Sequence, residues 1–341
     1  IFICAPGDRD TYVAMAERLN VRLETLGVWI NHKTSAGSLT DTGLNAPTEF
    51  GNVARDANDL AAILYTSGTT GRSKGAMLSH DNLLSTSQAL AALWQFSESD
   101  TLLHALPIFH THGLFVATNV TLLSGGSMVL LPGFNNDKVI ENLPKSTAMM
   151  GVPTFYTRLL DDGRFTHELA DHMRLFVSGS APLLADTHVQ FEERTGKRIL
   201  ERYGMTETNM NTSNPYEGER KAGTVGPPLE GVEVKISDPE TNQTLASNEI
   251  GQIEIRGPNV FKGYWKMPGK TAEEFTHDGY FITGDQGSIS ADGYISIVGR
   301  AKDMVISGGY NVYPKEIELV LNRQDGVKES AVFGVPDTDF G

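Results

Sequence analysis

Apolar residues along the chain fall into short runs separated by polar and glycine-rich breaks. Residues 1–4 predict a buried strand, whereas 37–58 are polar and without period, which predicts a loop or linker. The texture sharpens from residue 60. Residues 61–65 read as a strand, a Gly/Ser/Thr-rich turn follows, and 75–79 read as a second strand. A helix is expected from about His80, capped by Ser79 or Asp81, to about Trp94. Strand signals at 148–152, 175–177 and 199–203 then alternate with helix signals at 154–161 and 183–195. Residues 101–136 contain no Asp, Glu, Lys or Arg, but prolines, glycines and histidines interrupt every stretch approaching the ~18 apolar residues of a membrane span. That segment predicts a buried strand–helix–strand. The alternation predicts an α/β layered fold. Beyond about Lys221 short β segments at 232–236, 252–256, 287–290 and 294–298 predict a β-rich subdomain. A strand at 304–306, a Gly308-Gly309 turn and a helix from Pro314 or Lys315 follow, and 330–335 read as a further strand.

Composition narrows the partners. With 28 Lys+Arg against 42 Asp+Glu the formal net charge is −14, so no basic surplus exists to neutralise phosphates, and a nucleic-acid partner is not expected. One Cys excludes an internal disulfide and a Cys-based zinc site, and fits a reducing, cytoplasmic location. Length alone, 341 residues, points to roughly two domains of ~150 residues. Yet residue 1 is Ile and both ends fall inside apolar runs, so the sequence is expected to be a piece of a longer protein.

The densest chemistry lies in Tyr65-Thr66-Ser67-Gly68-Thr69-Thr70-Gly71-Arg72-Ser73-Lys74-Gly75. Glycines let backbone N–H groups approach an anion, hydroxyls add donors, and Lys74 adds a point charge. This is the composition of a phosphate cradle, and also of a plain surface turn. It differs from the G-x-x-x-x-G-K-[ST] loop because a strand, not a helix, follows Lys74.

The string Thr66-Ser67-Gly68-Thr69-Thr70-Gly71-x-x-Lys74-Gly75 resembles the signature of the adenylate-forming (AMP-binding) superfamily. Four further strings occur in that family's order: Ser178-Gly179-Ser180-Ala181-Pro182-Leu183, Tyr203-Gly204-Met205-Thr206-Glu207-Thr208, Tyr280-Phe281-Ile282-Thr283-Gly284-Asp285 and Gly299-Arg300-Ala301-Lys302-Asp303. Finer strings, Phe109-His110-Thr111-His112-Gly113, Met150-Gly151-Val152-Pro153-Thr154 and Glu201-Arg202-Tyr203, resemble the malonyl-CoA synthetase branch of the acyl-CoA synthetases. The resemblance implies a large domain of layered α/β sheets with a β-rich subdomain over residues 1–300, its N-terminal part missing, and the start of a small α+β C-terminal domain over 301–341.

It also implies the chemistry. A carboxylate attacks the α-phosphate of ATP, giving an acyl-adenylate and pyrophosphate, and coenzyme A then takes the acyl group. In that scheme Thr66, Ser67, Gly68, Thr69, Thr70, Gly71 and Lys74 hold the β- and γ-phosphates, Thr206 the α-phosphate, and Glu207 binds Mg²⁺. Asp285 and Arg300 meet the ribose, while Ser180, Ala181, Pro182, Glu201 and Tyr203 flank adenine. Lys302 is the hinge about which the small domain turns, and Ser307, Gly308 and Gly309 form the coenzyme A loop. The family's late catalytic lysine falls outside this chain, so these residues alone are expected to adenylate poorly.

The acid is the finest question. A fatty acid needs only apolar walls, but the distal carboxylate of malonate needs a buried cation, because an unpaired buried charge is costly. Arg202 and His112 are the candidates. A metal on His110 and His112 is not expected, since no third ligand has sensible spacing. Another small acid such as methylmalonate, and a non-catalytic nucleotide-binding module, are the rival readings.

Overall fold

The computed structural model describes residues 2–4, 9–25, 29–30, 33–34, 42–43, 45–49, 51–66, 73–307, 310–322, 324, 326–327 and 330–335. The chain divides into two compact units, residues 1–55 and 56–341. In the first, β1 (Phe2–Cys4) and β2 (Leu23–Thr25) pair in parallel on either side of helix α1 (Arg9–Leu19), as parallel pairing requires a crossover. Strands β3 (Trp29–Ile30) and β4 (Lys33–Thr34) form a small antiparallel pair.

The second unit opens with the antiparallel hairpin β5 (Leu60–Thr66) and β6 (Lys74–Ser79), in which Thr66 lies opposite Lys74. Ser79 caps helix α2 (His80–Leu93) through a reciprocal box: its Oγ accepts from Asn82 N at 3.2 Å, and Asn82 Oδ1 accepts from Ser79 N at 2.9 Å. A six-stranded sheet follows, built from β7 (Thr101–His104), β8 (Ser127–Leu130), β9 (Ala148–Gly151), β10 (Leu175–Ser178), β11 (Leu200–Tyr203) and β12 (Thr212–Ser213). Its order is β12-β11-β10-β9-β7-β8, parallel except for β12. Strands β9, β10 and β11 are buried throughout, as expected when helices cover a parallel sheet. Among those helices are α3 (Asn119–Leu123), α4 (Asn136–Asn142), α5 (Pro153–Leu160), α6 (His167–Ala170) and α7 (Ala185–Thr195).

Aromatic edges lock this layer. Phe191 meets Tyr156 at 5.5 Å and Phe176 at 5.0 Å, both near perpendicular, and each such pair adds ~0.5–1.5 kcal/mol beyond its buried area. The Tyr156 hydroxyl donates to Val177 O at 2.5 Å, which ties α5 to β10.

The β-rich part is an antiparallel sheet of β13 (Glu233–Ser237), β14 (Gly251–Arg256), β15 (Phe281–Ile289) and β16 (Ile295–Arg300), with helix α8 (Pro268–Glu273) between β14 and β15. Beyond it β17 (Val305–Ser307) pairs with β18 (Tyr310–Val312), and α9 (Pro314–Leu321) follows.

Three differences from the sequence pattern have physical causes. The helix within 101–136 begins as a π-helix (His112–Thr118), because the Gly113 carbonyl is taken by the side chains of His104 and Thr118, each at 2.9 Å. The segment expected as a strand at 287–290 belongs to the longer β15, whose register shifts at Gln286/Gly287. Residues 330–335 form no strand, since Val332 N donates to the Glu318 carboxylate instead of a neighbouring strand. Among the described residues no helix is long and apolar enough to cross a membrane.

Candidate active site

Open α/β sheets bind ligands beyond the carboxyl ends of their strands. Here that edge carries Gly151, Ser178 and Tyr203, and the π-helix delivers His112 to it. Side chains alternate along β11, so Arg202 faces one side of the sheet, and Glu201 and Tyr203 the other. Arg202 is 3% exposed, and none of its three guanidinium nitrogens has a hydrogen-bond partner. It fits only because residue 179 is glycine, where a Cβ would lie 2.3 Å from the guanidinium carbon. Burial pulls Arg202 down to about 9, which still leaves it charged at neutral pH. His112 Nδ1 lies 3.1 Å from Ser180 Oγ, while its Nε2 is unpartnered. Burial first, then the Arg202 charge, holds the imidazole well below its ordinary value, so it is neutral. Ser180 itself has φ +69°, a left-handed conformation unusual for a residue with a Cβ.

A second cluster joins Lys74 to Glu207. Lys74 Nζ donates to the Tyr264 hydroxyl and to Glu274 Oε1, both at 3.0 Å, and lies 4.3 Å from the Tyr264 ring centre. The same hydroxyl is 3.0 Å from Glu207 Oε1 and 3.0 Å from Glu274 Oε2, so its single proton serves one carboxylate at a time. Burial pushes the Glu207 carboxyl above its ordinary range, only partly offset by the Tyr264 hydrogen bond and the Lys74 charge. Burial also opposes ionisation of Glu274, but hydrogen bonds from Lys270 and Lys74 prevail and hold its carboxyl below the ordinary range.

The third cluster sits where Asp285 on β15 lies opposite Arg300 on β16. Arg300 Nε pairs with Asp285 Oδ1 at 2.7 Å, and the Tyr203 hydroxyl donates to Oδ2. Burial raises the Asp285 carboxyl despite both partners. Each carboxylate oxygen keeps a lone pair, enough to accept from a vicinal diol.

A model of the AMP-binding enzyme family matches residues 11–265, about three quarters of the chain. The chain belongs to this family. It is 40% identical over 311 residues to a malonate–CoA ligase of Arabidopsis thaliana, covering 83% of this chain and 50% of that protein. It is also 36% identical to a long-chain-fatty-acid–CoA ligase of Bacillus subtilis, over 83% of this chain and 51% of that one. Among solved structures, ATP-bound MatB from Rhodopseudomonas palustris superposes with a TM-score of 0.95 at 59% identity, covering 99% of this chain and 66% of its own. The chain thus spans about half the length of the curated relatives it matches. The α/β fold with a parallel sheet is that of an adenylate-forming large domain.

Within this family frame the loop after β11 connects the clusters. Gly204 lets the chain double back, since a Cβ there would lie 1.9 Å from Asn209 O. Asn259 Nδ2 donates to Thr208 O at 2.8 Å and Met210 O at 2.9 Å, and Phe261 N donates to Glu207 O at 2.8 Å. Thr111 Oγ1 donates to Asn209 Oδ1 at 2.8 Å, tying the loop to the segment before the π-helix. Thr206 is half-buried at the turn. Glu201 is buried, its Oε1 3.7 Å from His188 Nδ1.

Thr66 closes β5, Ala181 and Pro182 are exposed after β10, and Lys302 is exposed in a 3-10 turn (Ala301–Asp303). Ser307 ends β17. Ser67, Gly68, Thr69, Thr70, Gly71, Gly308 and Gly309 lie outside the described residues.

Among the described residues no cluster of three or more His, Cys, Asp or Glu could cage a metal. One buried carboxylate, Glu207, whose nearest cation is held by another group, nevertheless suits Mg²⁺, which takes one or two carboxylates together with substrate phosphates. Sequence reasoning missed Tyr264, Glu274 and Lys270. They come 190 to 200 residues after Lys74 and have no local pattern, so only the question of what neutralises Lys74 points to them.

Proposed function

We propose that this protein is an acid–thiol ligase that forms malonyl-CoA from malonate, ATP and coenzyme A, releasing AMP and pyrophosphate. The observation that carries the acid assignment is Arg202. A buried guanidinium with no partner costs several kcal/mol, and a bidentate carboxylate removes that cost. A fatty acid offers no distal carboxylate, so this feature favours a short dicarboxylate, where identities of 36–40% to ligases of both kinds do not discriminate.

One malonate carboxylate sits on Arg202 beside neutral His112. The other attacks the α-phosphorus, forming a C(O)O–P bond and breaking the bond to the β-phosphate oxygen. Lys74, with Thr66 to Thr70 and Gly71, holds the β- and γ-phosphates. Thr206 donates to the α-phosphate, while Asp285, steadied by Arg300 and Tyr203, accepts from the ribose. Ser180, Ala181, Pro182, Glu201 and the Tyr203 face border adenine. Glu207 would hold Mg²⁺, which spreads the charge that grows on the leaving pyrophosphate. The coenzyme A thiol then displaces AMP from the adenylate. Lys302 acts as the hinge and Ser307 to Gly309 line the thiol's approach, in a small domain beginning near residue 301. The single Cys in the sequence supports a cytoplasmic setting.

Malonate-dependent pyrophosphate release by Arg202→Ala tests this. kcat/KM for malonate is expected to fall about a thousandfold, the weight of a broken buried ion pair, with ATP binding spared. Parent-level adenylation of malonate by the variant, or ADP in place of AMP among the products, overturns the reading.

A further inference from the structure

Lys74 and Glu207 are assigned opposite tasks, one to attract phosphate and the other to bind a cation. Two opposite charges in a partly desolvated site otherwise attract each other strongly. They do not pair here. The Tyr264 hydroxyl stands between them, and the ammonium is taken by Glu274 at 3.0 Å. Lys270 holds the same Glu274 oxygen at 3.0 Å, so the carboxylate stays paired if Lys74 leaves. Tyr264 is anchored in turn by Thr271, whose Oγ1 accepts from Tyr264 N at 2.9 Å. Lys270 and Thr271 lie on α8, Glu274 directly follows it and Tyr264 precedes it, so one short segment carries both partners of Lys74 and their supports.

We infer that Glu274 is a positioning residue that, with Tyr264, holds the Lys74 ammonium away from Glu207 and so keeps the Glu207 carboxylate free for a divalent cation. This rests on the reading of Lys74 and Glu207 given above. When nucleotide arrives, its phosphates replace Glu274 as the anion on Lys74, and Glu274 falls back on Lys270. Without the Glu274 charge, the carboxylate that remains across the Tyr264 hydroxyl from Lys74 is Glu207, and the lysine then competes with the metal.

The test is ATP binding to the intact protein by calorimetry, with no acid or coenzyme A, across a Mg²⁺ series at about pH 8 to keep Glu207 ionised. In Glu274→Gln, which keeps size and an acceptor, the Mg²⁺ concentration for half-maximal binding is expected to rise about tenfold, the weight of one charge-assisted hydrogen bond. Metal-free ATP binding should change less than about twofold, and Glu274→Asp should restore the parent midpoint. An unchanged midpoint in Glu274→Gln, or an equal loss of metal-free binding, overturns the inference. Melting curves establish that the variants are folded. Should Glu274→Gln not fold, Tyr264→Phe, which removes the intervening hydroxyl, carries the same expected rise. Glu207→Gln separates the two levels: if it leaves Mg²⁺ dependence intact, the assignment of Glu207 itself fails. If it abolishes that dependence while Glu274→Gln moves nothing, only the role of Glu274 fails.

Discussion

The two ends of the candidate site handle buried charge in opposite ways. At the Lys74 end, the lysine has a counter-ion within the protein, Glu274, which Lys270 also holds, and Tyr264 gives Glu207 a hydrogen bond. At the Arg202 end, a guanidinium that is 3% exposed has none. The first end is self-neutralised and must exchange partners to accept a ligand. On the proposed reading the second is pre-organised for an anion, and its cost is met only on binding. Affinity at the two ends should therefore draw on different sources: partner exchange at one, relief of desolvation at the other.

The largest expected effect tests the sign of that cost. Arg202→Met keeps length and apolar bulk but removes the charge. It should stabilise the ligand-free protein by about 1–4 kcal/mol while abolishing malonate use, a separation of stability from function. Urea unfolding of parent and variant without ligand reads it directly. A variant less stable than the parent would mean that Arg202 is satisfied within the fold, and the contrast between the ends would disappear.

Much of this was legible in the sequence, and the rest was not for identifiable reasons. The hairpin, the parallel strands and α2 follow from period and capping, because Ser79 and Asn82 sit three apart with nothing to compete. Arg202, His112, Glu207, Asp285 and Arg300 could be singled out as candidates because their motifs are short and contiguous. The π-helix was not, since it depends on His104 reaching Gly113 from another element. The partners Tyr264 and Glu274 were invisible for the same reason: a counter-ion 200 residues away leaves no local pattern. The strand expected at 330–335 failed because apolar content does not supply a neighbour to pair with.

A smaller effect of opposite sign is expected at the Lys74 end. Lys74→Met removes a cation that is 13% exposed and bonded twice, and it leaves Glu274 with Lys270 and the Tyr264 hydroxyl. The ligand-free protein should lose about 1 kcal/mol, in keeping with a partly screened, hydrogen-bonded ion pair. Deleting a buried cation would then stabilise one end and destabilise the other, measured by the same unfolding curves. Stabilisation in both variants would show that the Lys74 network is also unsatisfied.

The smallest effect concerns pH and sets the ends apart without mutation. Burial raises the Glu207 and Asp285 carboxyls above their ordinary values, so both take up protons at a higher pH than a solvated acid does. The folded protein then binds more protons than the unfolded chain. The stability these two groups contribute is complete below their unfolded values and is lost as the pH rises through the folded ones. Ligand binding follows the reverse sign, because the protonated carboxyls neither hold a cation nor accept fully from a ribose. Mg²⁺-dependent ATP binding should therefore weaken on acidification, beginning above the ordinary carboxylate range of about 4. At the other end His112 is held neutral well below its ordinary value and Arg202 stays charged at neutral pH, so acid binding, corrected for the titration of the acid itself, should stay level from about pH 8 down past the ordinary histidine value of about 6.5. Calorimetric titrations of each ligand across that interval check both limbs. A parallel decline in the two would show that a group beside Arg202, His112 first, titrates within that interval.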